Sequence, residues 1–412
     1  MTCLTSRRYV LILAFATLFI AETQGTNILG WFSRAKSCSL TFATDFPDKE
    51  PVLLSTSKNG YSLILPTNDA VHLKAGQKIA LSCPGGKNTI TALDDNLATA
   101  KCVDKQTLNI DGETYSMSDL GCGTTVTGEF EATTTKCGTR GVIKHIGHKV
   151  DDTFLTLFDV CYDNNAGEAL YTEHVLHGSA ISYSKSVSTR PSFKSAGLGP
   201  GVTADNAYKQ STQKNAFTSL LGSTKLAEKY IYPNSYLARG HLSPVADFVF
   251  VNSKCTTFFY INTVPQWQAI NNGNFKFLEF AIRKLASNLE EEFKIITGSH
   301  GVLTLENIEG EDTEIYLVAE NKLPVPKYVW KILFSLETQR AMAFVNLNNP
   351  FVNEVTDNDY LCNDICKDYN WGHDAWLNPA KGLVYCCDVK ELNKVVKTIP
   401  VLKISGIQEG PE

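Results

Sequence analysis

Apolar residues come in short bursts through the first third of the chain. Val52-Leu-Leu54, Tyr61-Ser-Leu-Ile-Leu65, Val71-His-Leu73 and Lys78-Ile-Ala-Leu-Ser82 are separated by Lys58-Asn-Gly60, Ala75-Gly76 and Pro84-Gly-Gly86. Runs of this length between turn residues predict strands, because glycine and asparagine supply the conformations that reverse a chain. Residues 26–140 therefore predict a small β-rich domain. From 141 to 412 the pattern is mixed. Thr153–Val160, Phe258–Ile261, Lys294–Thr297, Ile315–Ala319 and Trp330–Phe334 predict strands. Leu278, Ala281, Ile282, Leu285 and Leu289 recur at steps of three and four, which predicts a helix from about Asn271 to Glu291. The chain reads as α+β, with two domains.

The N-terminus adds a destination. Arg7 and Arg8 precede an apolar run from Tyr9 to Ile20, and the small residues Thr23 and Gly25 follow. So short a run predicts a signal peptide over 1–25 rather than a membrane span, which needs about 20 apolar residues. No other stretch reaches spanning length, so the mature chain is expected to be secreted and extracellular, with no membrane partner.

Cysteine usage agrees. Once Cys3 leaves with the leader, eleven remain: Cys38, Cys83, Cys102, Cys122, Cys137, Cys161, Cys255, Cys362, Cys366, Cys386 and Cys387. In an oxidising compartment these predict disulfides, five cysteines stapling the β-rich domain. The odd count leaves at least one thiol free or paired between chains. Zinc is the competing reading for Cys362, Cys366, Cys386 and Cys387, disfavoured because adjacent cysteines rarely ligate one tetrahedral ion.

Composition excludes wholesale disorder: 412 residues at 43% hydrophobic content can bury a core in two domains. The net charge of −5 does not mark a polyanion binder. Its distribution says more. Between Lys185 and His241 stand eight lysines and arginines against only Asp205 and Glu228, enough for a local basic face on an acidic protein.

The chemistry gathers between residues 236 and 283. Ala238-Arg-Gly-His241 puts Arg239 and His241 on one side of an extended segment, a permanent cation beside a titratable base. Asn262-Thr-Val-Pro-Gln266 follows, and Asn271-Asn-Gly-Asn-Phe275 opens the helix. On that helix Asn271, Phe275, Glu279 and Arg283 are successive i+4 neighbours. Singly, each feature has an ordinary structural explanation: a cap, a surface ion pair, a chance tripeptide. Their ordered combination carries the weight. His174, His177 and His373 read as core, strand and loop histidines, and Phe275 and Trp267 as core.

This combination resembles the DNA/RNA non-specific endonuclease family, the Serratia-nuclease-like branch of the ββα-metal fold. The family's motifs are Asp-Arg-Gly-His, Asn-x-x-Pro-Gln and Asn-x-Gly-x-Trp, and Ala238 and Phe275 depart from them. The family's upstream arginine looks similar to Arg190 in Ser188-Thr-Arg-Pro-Ser-Phe193. The resemblance implies a ββα-metal nuclease domain over 141–412, with a central antiparallel sheet and flanking helices. The β-rich extension before it resembles secreted arthropod members, including those that degrade double-stranded RNA.

It also implies roles. His241 is the general base. Asn271 is the metal ligand for Mg²⁺, with Mn²⁺ as the substitute ion. Glu279 holds metal-bound water. Arg239, with Arg190 and Arg283, meets the phosphate, and Asn262 shapes the cleft or touches phosphate. The expected activity is hydrolysis of DNA and RNA to 5′-phosphate ends by backbone-directed binding. The alternative expectation is a secreted nucleic-acid-binding protein of the same fold with weak or no catalysis.

Overall fold

A computed structural model describes residues 36–58, 60–65, 67–188 and 190–411. The expected signal peptide over 1–25 lies outside the described residues. Two sheets dominate. The smaller has six antiparallel strands in the order Gly60–Leu63, Val52–Ser57, Lys78–Ser82, Leu97–Asp104, Thr107–Ile110 and Glu113–Ser116. The Cys38–Cys102 and Cys83–Cys122 disulfides pin it. Its alternating apolar positions (Val52, Leu54, Ile79, Leu81, Ala100, Leu108) face a common core.

The larger sheet runs, in spatial order, Val384–Cys387, Arg340–Leu347, Pro326–Ser335, Glu292–Val302, Glu168–His177, Thr153–Asp163, Gly141–Val150 and Glu129–Cys137. All these neighbours are antiparallel; Gly406–Ile407 adds a short parallel pairing. The helix Asn274–Leu289 covers one face, burying Leu278, Ile282 and Leu285 with Phe293, Ile295, Leu333 and Phe344. Each such side chain taken from water stabilises the fold by about 1.5–3 kcal/mol. The short helix Val389–Val395 and Trp330, Ile332, Val345 and Tyr385 belong to the core of the opposite face. Both sheets lie within one compact unit, Ala35–Glu412.

The seam between the sheets is specific. Phe42, Phe46 and Phe250 meet with ring centroids 5.3–5.8 Å apart. The Glu50 carboxylate accepts the Val251 backbone N–H at 2.7 Å, and Asn252 donates to the Pro51 carbonyl at 3.0 Å.

Three sequence expectations are corrected. Phe258–Ile261 is not a strand. It leads into the buried 3₁₀ turn Tyr260–Asn262, where the Asn262 side chain ties the backbone down. The long helix begins at Asn274, three residues late, because Gly273 is non-helical (φ −96°, ψ −129°) and a Cβ there would lie 2.3 Å from the Ala269 carbonyl. Asn271 therefore ends a separate turn, Gln268–Asn271, and is not in the Phe275–Glu279–Arg283 row. At the other end of the helix, Leu289 is 44% exposed rather than core. Ten of the cysteines form five disulfides, the last two being Cys362–Cys387 and Cys366–Cys386, and Cys255 is a buried free thiol. Among the described residues no helix is long and apolar enough to cross a membrane.

Candidate active site

Two short strands and a helix build the site. Leu237–His241 pairs antiparallel with Thr263–Trp267, setting Arg239 opposite Pro265 and His241 opposite Thr263. Arg239 and His241 share a face because strand side chains alternate. Gly240 between them lies against Gln266: a Cβ there would be 2.6 Å from Gln266 Oε1 and 2.8 Å from its Cβ. Any larger residue would part the strands. The glycine of Arg-Gly-His is thus demanded by packing.

Aromatic rings hold the two polar groups together. Phe193 lies 5.2 Å from the His241 ring and 5.4 Å from the Arg239 guanidinium. Tyr208 and Tyr260 face the same guanidinium at 5.4 and 5.5 Å. Among the described residues Arg239 has no carboxylate partner. A guanidinium held by ring faces and the Tyr260 hydroxyl, with no carboxylate to neutralise it, keeps its charge available to an anion. Phe258 meets the His241 ring edge-on at 5.3 Å. His241 Nε2 is buried without a partner. Burial, and then the Arg190 charge, lower this imidazole to about 4. It is therefore neutral at physiological pH and able to accept a proton. Arg190 itself is exposed.

Asn271 and Glu279 lie on the helical segments that follow the hairpin. Neither side chain makes a hydrogen bond to another described residue. Burial raises the Glu279 carboxyl to about 7, opposed by Lys331, reinforced by Asp247 and opposed again by Arg283 and Lys276. A neutral amide oxygen and a half-buried carboxylate, neither hydrogen-bonded to a described residue, are donors that suit a hard, oxygen-seeking cation and its bound waters. The residues fit such an ion.

Beneath the hairpin lies a buried polar chain. Ser243 Oγ donates to Thr172 Oγ1 at 3.0 Å and lies 2.9 Å from His174 Nδ1. His174 Nε2 lies 3.0 Å from Asp247 Oδ2, and Asp247 Oδ1 accepts from Arg283 at 2.8 Å. Against burial, the His174 hydrogen bond and the charges of Arg283, His174 and Lys331 hold Asp247 below the usual carboxylate range. Lys331, 1% exposed, donates to Thr297 Oγ1 at 2.6 Å and stands over the Phe275 ring. Buried charges persist only when paired, and this chain pairs them.

The expected site residues thus separate. His241, Arg239 and Arg190 come together, and Glu279 sits over the polar chain. Arg283 gives one guanidinium nitrogen to Asp247 Oδ1 at 2.8 Å, a partner that the sequence expectation did not include. Asn262, expected among the catalytic groups, is fully buried. It donates to the Ser243 and Thr257 carbonyls and accepts the Ser243 N–H, each at 2.9 Å. Both amide atoms are thus taken up by backbone groups. The basic segment is also thinner than its composition. Lys185 and Lys194 donate to the Phe46 and Gly128 carbonyls, and Lys214 pairs with Glu228.

Sequence reasoning missed Asp247, Lys331 and Ser243, and took His174 as an ordinary core histidine. One signal was available: Lys331 interrupts the apolar run Trp330–Phe334. Phe275 and Trp267 are core, 2% and 1% exposed. His373 Nδ1 caps the turn Asp374–Leu377 by accepting from Ala375 N–H.

Residues 139–392 match the family model of the DNA/RNA non-specific endonucleases. A salivary endonuclease of Lutzomyia longipalpis is 32% identical, the match covering 89% of this chain and 85% of that one. The salivary protein Tsal2A of Glossina morsitans morsitans is 24% identical over 94% of this chain and 97% of its own. A chain of the EndoG/EndoGI complex is similar at 14% identity and a TM-score of 0.38, covering 61% of this chain and 87% of that one.

Proposed function

Since the chain belongs to the metal-dependent DNA/RNA non-specific endonuclease family and is a nuclease, we propose that it is a secreted, Mg²⁺-dependent endonuclease that cleaves DNA and RNA, double-stranded RNA included, to 5′-phosphate ends. The carrying observation is the pairing, across one aromatic ring, Phe193, of a neutral His241 with an Arg239 that no carboxylate of the described residues neutralises. Secretion is supported by the basic-then-apolar N-terminus, the five disulfides and the salivary relatives.

His241 takes a proton from a water molecule. The water oxygen bonds to phosphorus, the bond from phosphorus to the 3′ oxygen breaks, and that oxygen takes up a proton. The phosphate stays on the 5′ side. Arg239 and Arg190 offset the charge gathering on the phosphoryl oxygens. Asn271 would hold Mg²⁺ (or Mn²⁺) through its amide oxygen, and Glu279 would orient the waters around it. The bound ion supplies Lewis-acid polarisation of the phosphodiester and stabilises the leaving oxygen. No step needs a ribose 2′-hydroxyl, so one site serves both nucleic acids. Contacts to phosphate rather than base edges give backbone-directed binding.

The test is cleavage of plasmid DNA and of double-stranded RNA, with and without exhaustive chelation, followed by end-group analysis. Cleavage that stops on chelation, returns with Mg²⁺ and leaves 5′-phosphates is the expected result. Full activity after chelation would overturn the metal assignment.

A further inference from the structure

The outer side of the long helix carries two phenylalanines that the fold leaves open. Phe277 and Phe280 are 59% and 62% exposed. With Ala281, Lys284, Trp371 and Trp376 they line a groove of about 380 Å³, within the size range of ligand sites. The floor is rigid. Trp371 and Trp376 are 3% and 4% exposed and stand edge-on to Phe344 at 4.7 and 6.2 Å. The Asn274 amide ties the tryptophan-bearing loop to the start of the helix, donating to the Ala375 and Gly382 carbonyls at 2.6 and 2.7 Å.

The groove is continuous with the catalytic side of the same helix. Lys276, Phe280 and Lys284 are successive i+4 neighbours, about 5–6 Å apart at Cβ, and Phe277 is i+3 from Phe280. Lys276 is in turn i+3 from Glu279 and close enough to act on its charge. Going round the helix from the site, one meets a carboxylate, a cation, an aromatic ring, a second cation and a second ring. Lys276 and Lys284 are both exposed. Flat apolar faces set between cations match a strand whose bases are bare and whose phosphates are charged. A duplex keeps its bases stacked on one another and cannot offer them here. An apolar protein partner would gain nothing from the flanking lysines.

We propose that Phe280 and Phe277 form a stacking track for unpaired nucleobases, with Lys276 and Lys284 on the neighbouring phosphates, along which a single strand leaving the cleavage site lies. This rests on the nuclease reading above and adds to it a binding subsite for single-stranded DNA or RNA.

The experiment compares wild type with the exposed double variant Phe277→Ala/Phe280→Ala. It follows the fluorescence of single-stranded DNA bearing 2-aminopurine, bound in calcium buffer without turnover. Wild type quenches the fluorophore, and the variant loses the quenching. Its KM for long single strands rises about 5- to 150-fold per base unstacked, while its unfolding midpoint and its turnover of a dinucleotide-sized substrate stay unchanged. Phe280→Trp keeps the quenching and Phe280→Leu does not, which separates ring stacking from mere apolar contact. Equal quenching and equal KM in wild type and double variant would overturn the track. So would a variant that differs only by turning from dimer to monomer, for the face would then join copies of the chain. A wild type that binds and quenches but cuts nothing would defeat the nuclease reading and leave the track standing.

Discussion

The six-stranded sheet and the hairpin of Leu237–His241 with Thr263–Trp267 treat buried polar groups in opposite ways. In the sheet region such groups are satisfied: Asn88 donates to the Pro84 and Thr124 carbonyls and accepts the Thr124 N–H, and Asp45 accepts from Thr41 and Thr44. Among the described residues before Gly128, Asp104 alone has a buried side-chain atom without a partner. In the hairpin, Arg239 Nε, His241 Nε2, Trp267 Nε1 and both amide atoms of Gln266 are buried and unpartnered. Each such group costs about 1–3 kcal/mol relative to a satisfied one. Only a surrounding fold with stability to spare can hold them. The difference marks one region as scaffold and the other as a place kept ready for a ligand.

The largest expected contrast comes from the hairpin itself. His241→Ala should lower the cleavage rate about 10²–10⁴-fold and leave affinity in calcium nearly intact, because the neutral imidazole acts on water. Arg239→Ala should weaken both, since a guanidinium meets phosphate in the ground state as well as in the transition state. Paired rate and binding measurements decide it. A His241→Ala enzyme as fast as wild type would dissolve the contrast.

The polar chain beneath the hairpin gives the next effect. Asp247→Ala leaves the Arg283 guanidinium without its carboxylate and His174 Nε2 without a partner, and should cost about 3–5 kcal/mol in urea unfolding. A loss under ~1 kcal/mol would mean that the chain is solvated. Replacing both Cys83 and Cys122 with serine should cost about 2–4 kcal/mol by freeing a loop of sequence separation 39, while the cleavage rate of the folded protein stays put. A rate that fell with stability would make the scaffold part of the catalyst.

The last effect is silent at neutral pH and grows as the pH falls. Burial, helped by the Lys194 charge, lowers the fully buried His148 to about 3, whereas an unfolded imidazole titrates near ~6.5. Only the unfolded chain takes the proton as pH falls through ~6.5. The stability tied to His148 is therefore complete above ~6.5 and is lost between ~6.5 and about 3. His148→Asn should flatten that part of the stability–pH curve, and an unchanged slope would assign it to other groups.

The sequence was legible where local rules decide. The runs at Val52 and Lys78 became strands because short apolar bursts between turn residues pack as strands, and the Leu278–Ile282–Leu285 stripe became a helix face. Arg239 and His241 could be placed side by side because two residues apart on a strand means one face. Partnerships across the fold could not be read. Arg283 meets Asp247 from 36 residues away and Ser243 meets His174 from 69, so no spacing rule connects them. The break at Gly273 was hidden for the same reason: besides the Ala269 carbonyl, what forbids a side chain there is the carbonyl of Lys381, 2.5 Å from the would-be Cβ.

Glu50 shows where similarity between sequences and cooperativity within a fold part company. The family match begins at residue 139, yet the carboxylate that caps the Val251–Cys255 helix, ten residues after His241, comes from position 50. A chain cut at the edge of the match would surrender that cap, the rings that Phe42 and Phe46 lay on Phe250, and the outermost strand of the large sheet. Anyone transplanting the catalyst into another protein must therefore carry the front third with it, as one inherits a keystone along with an arch.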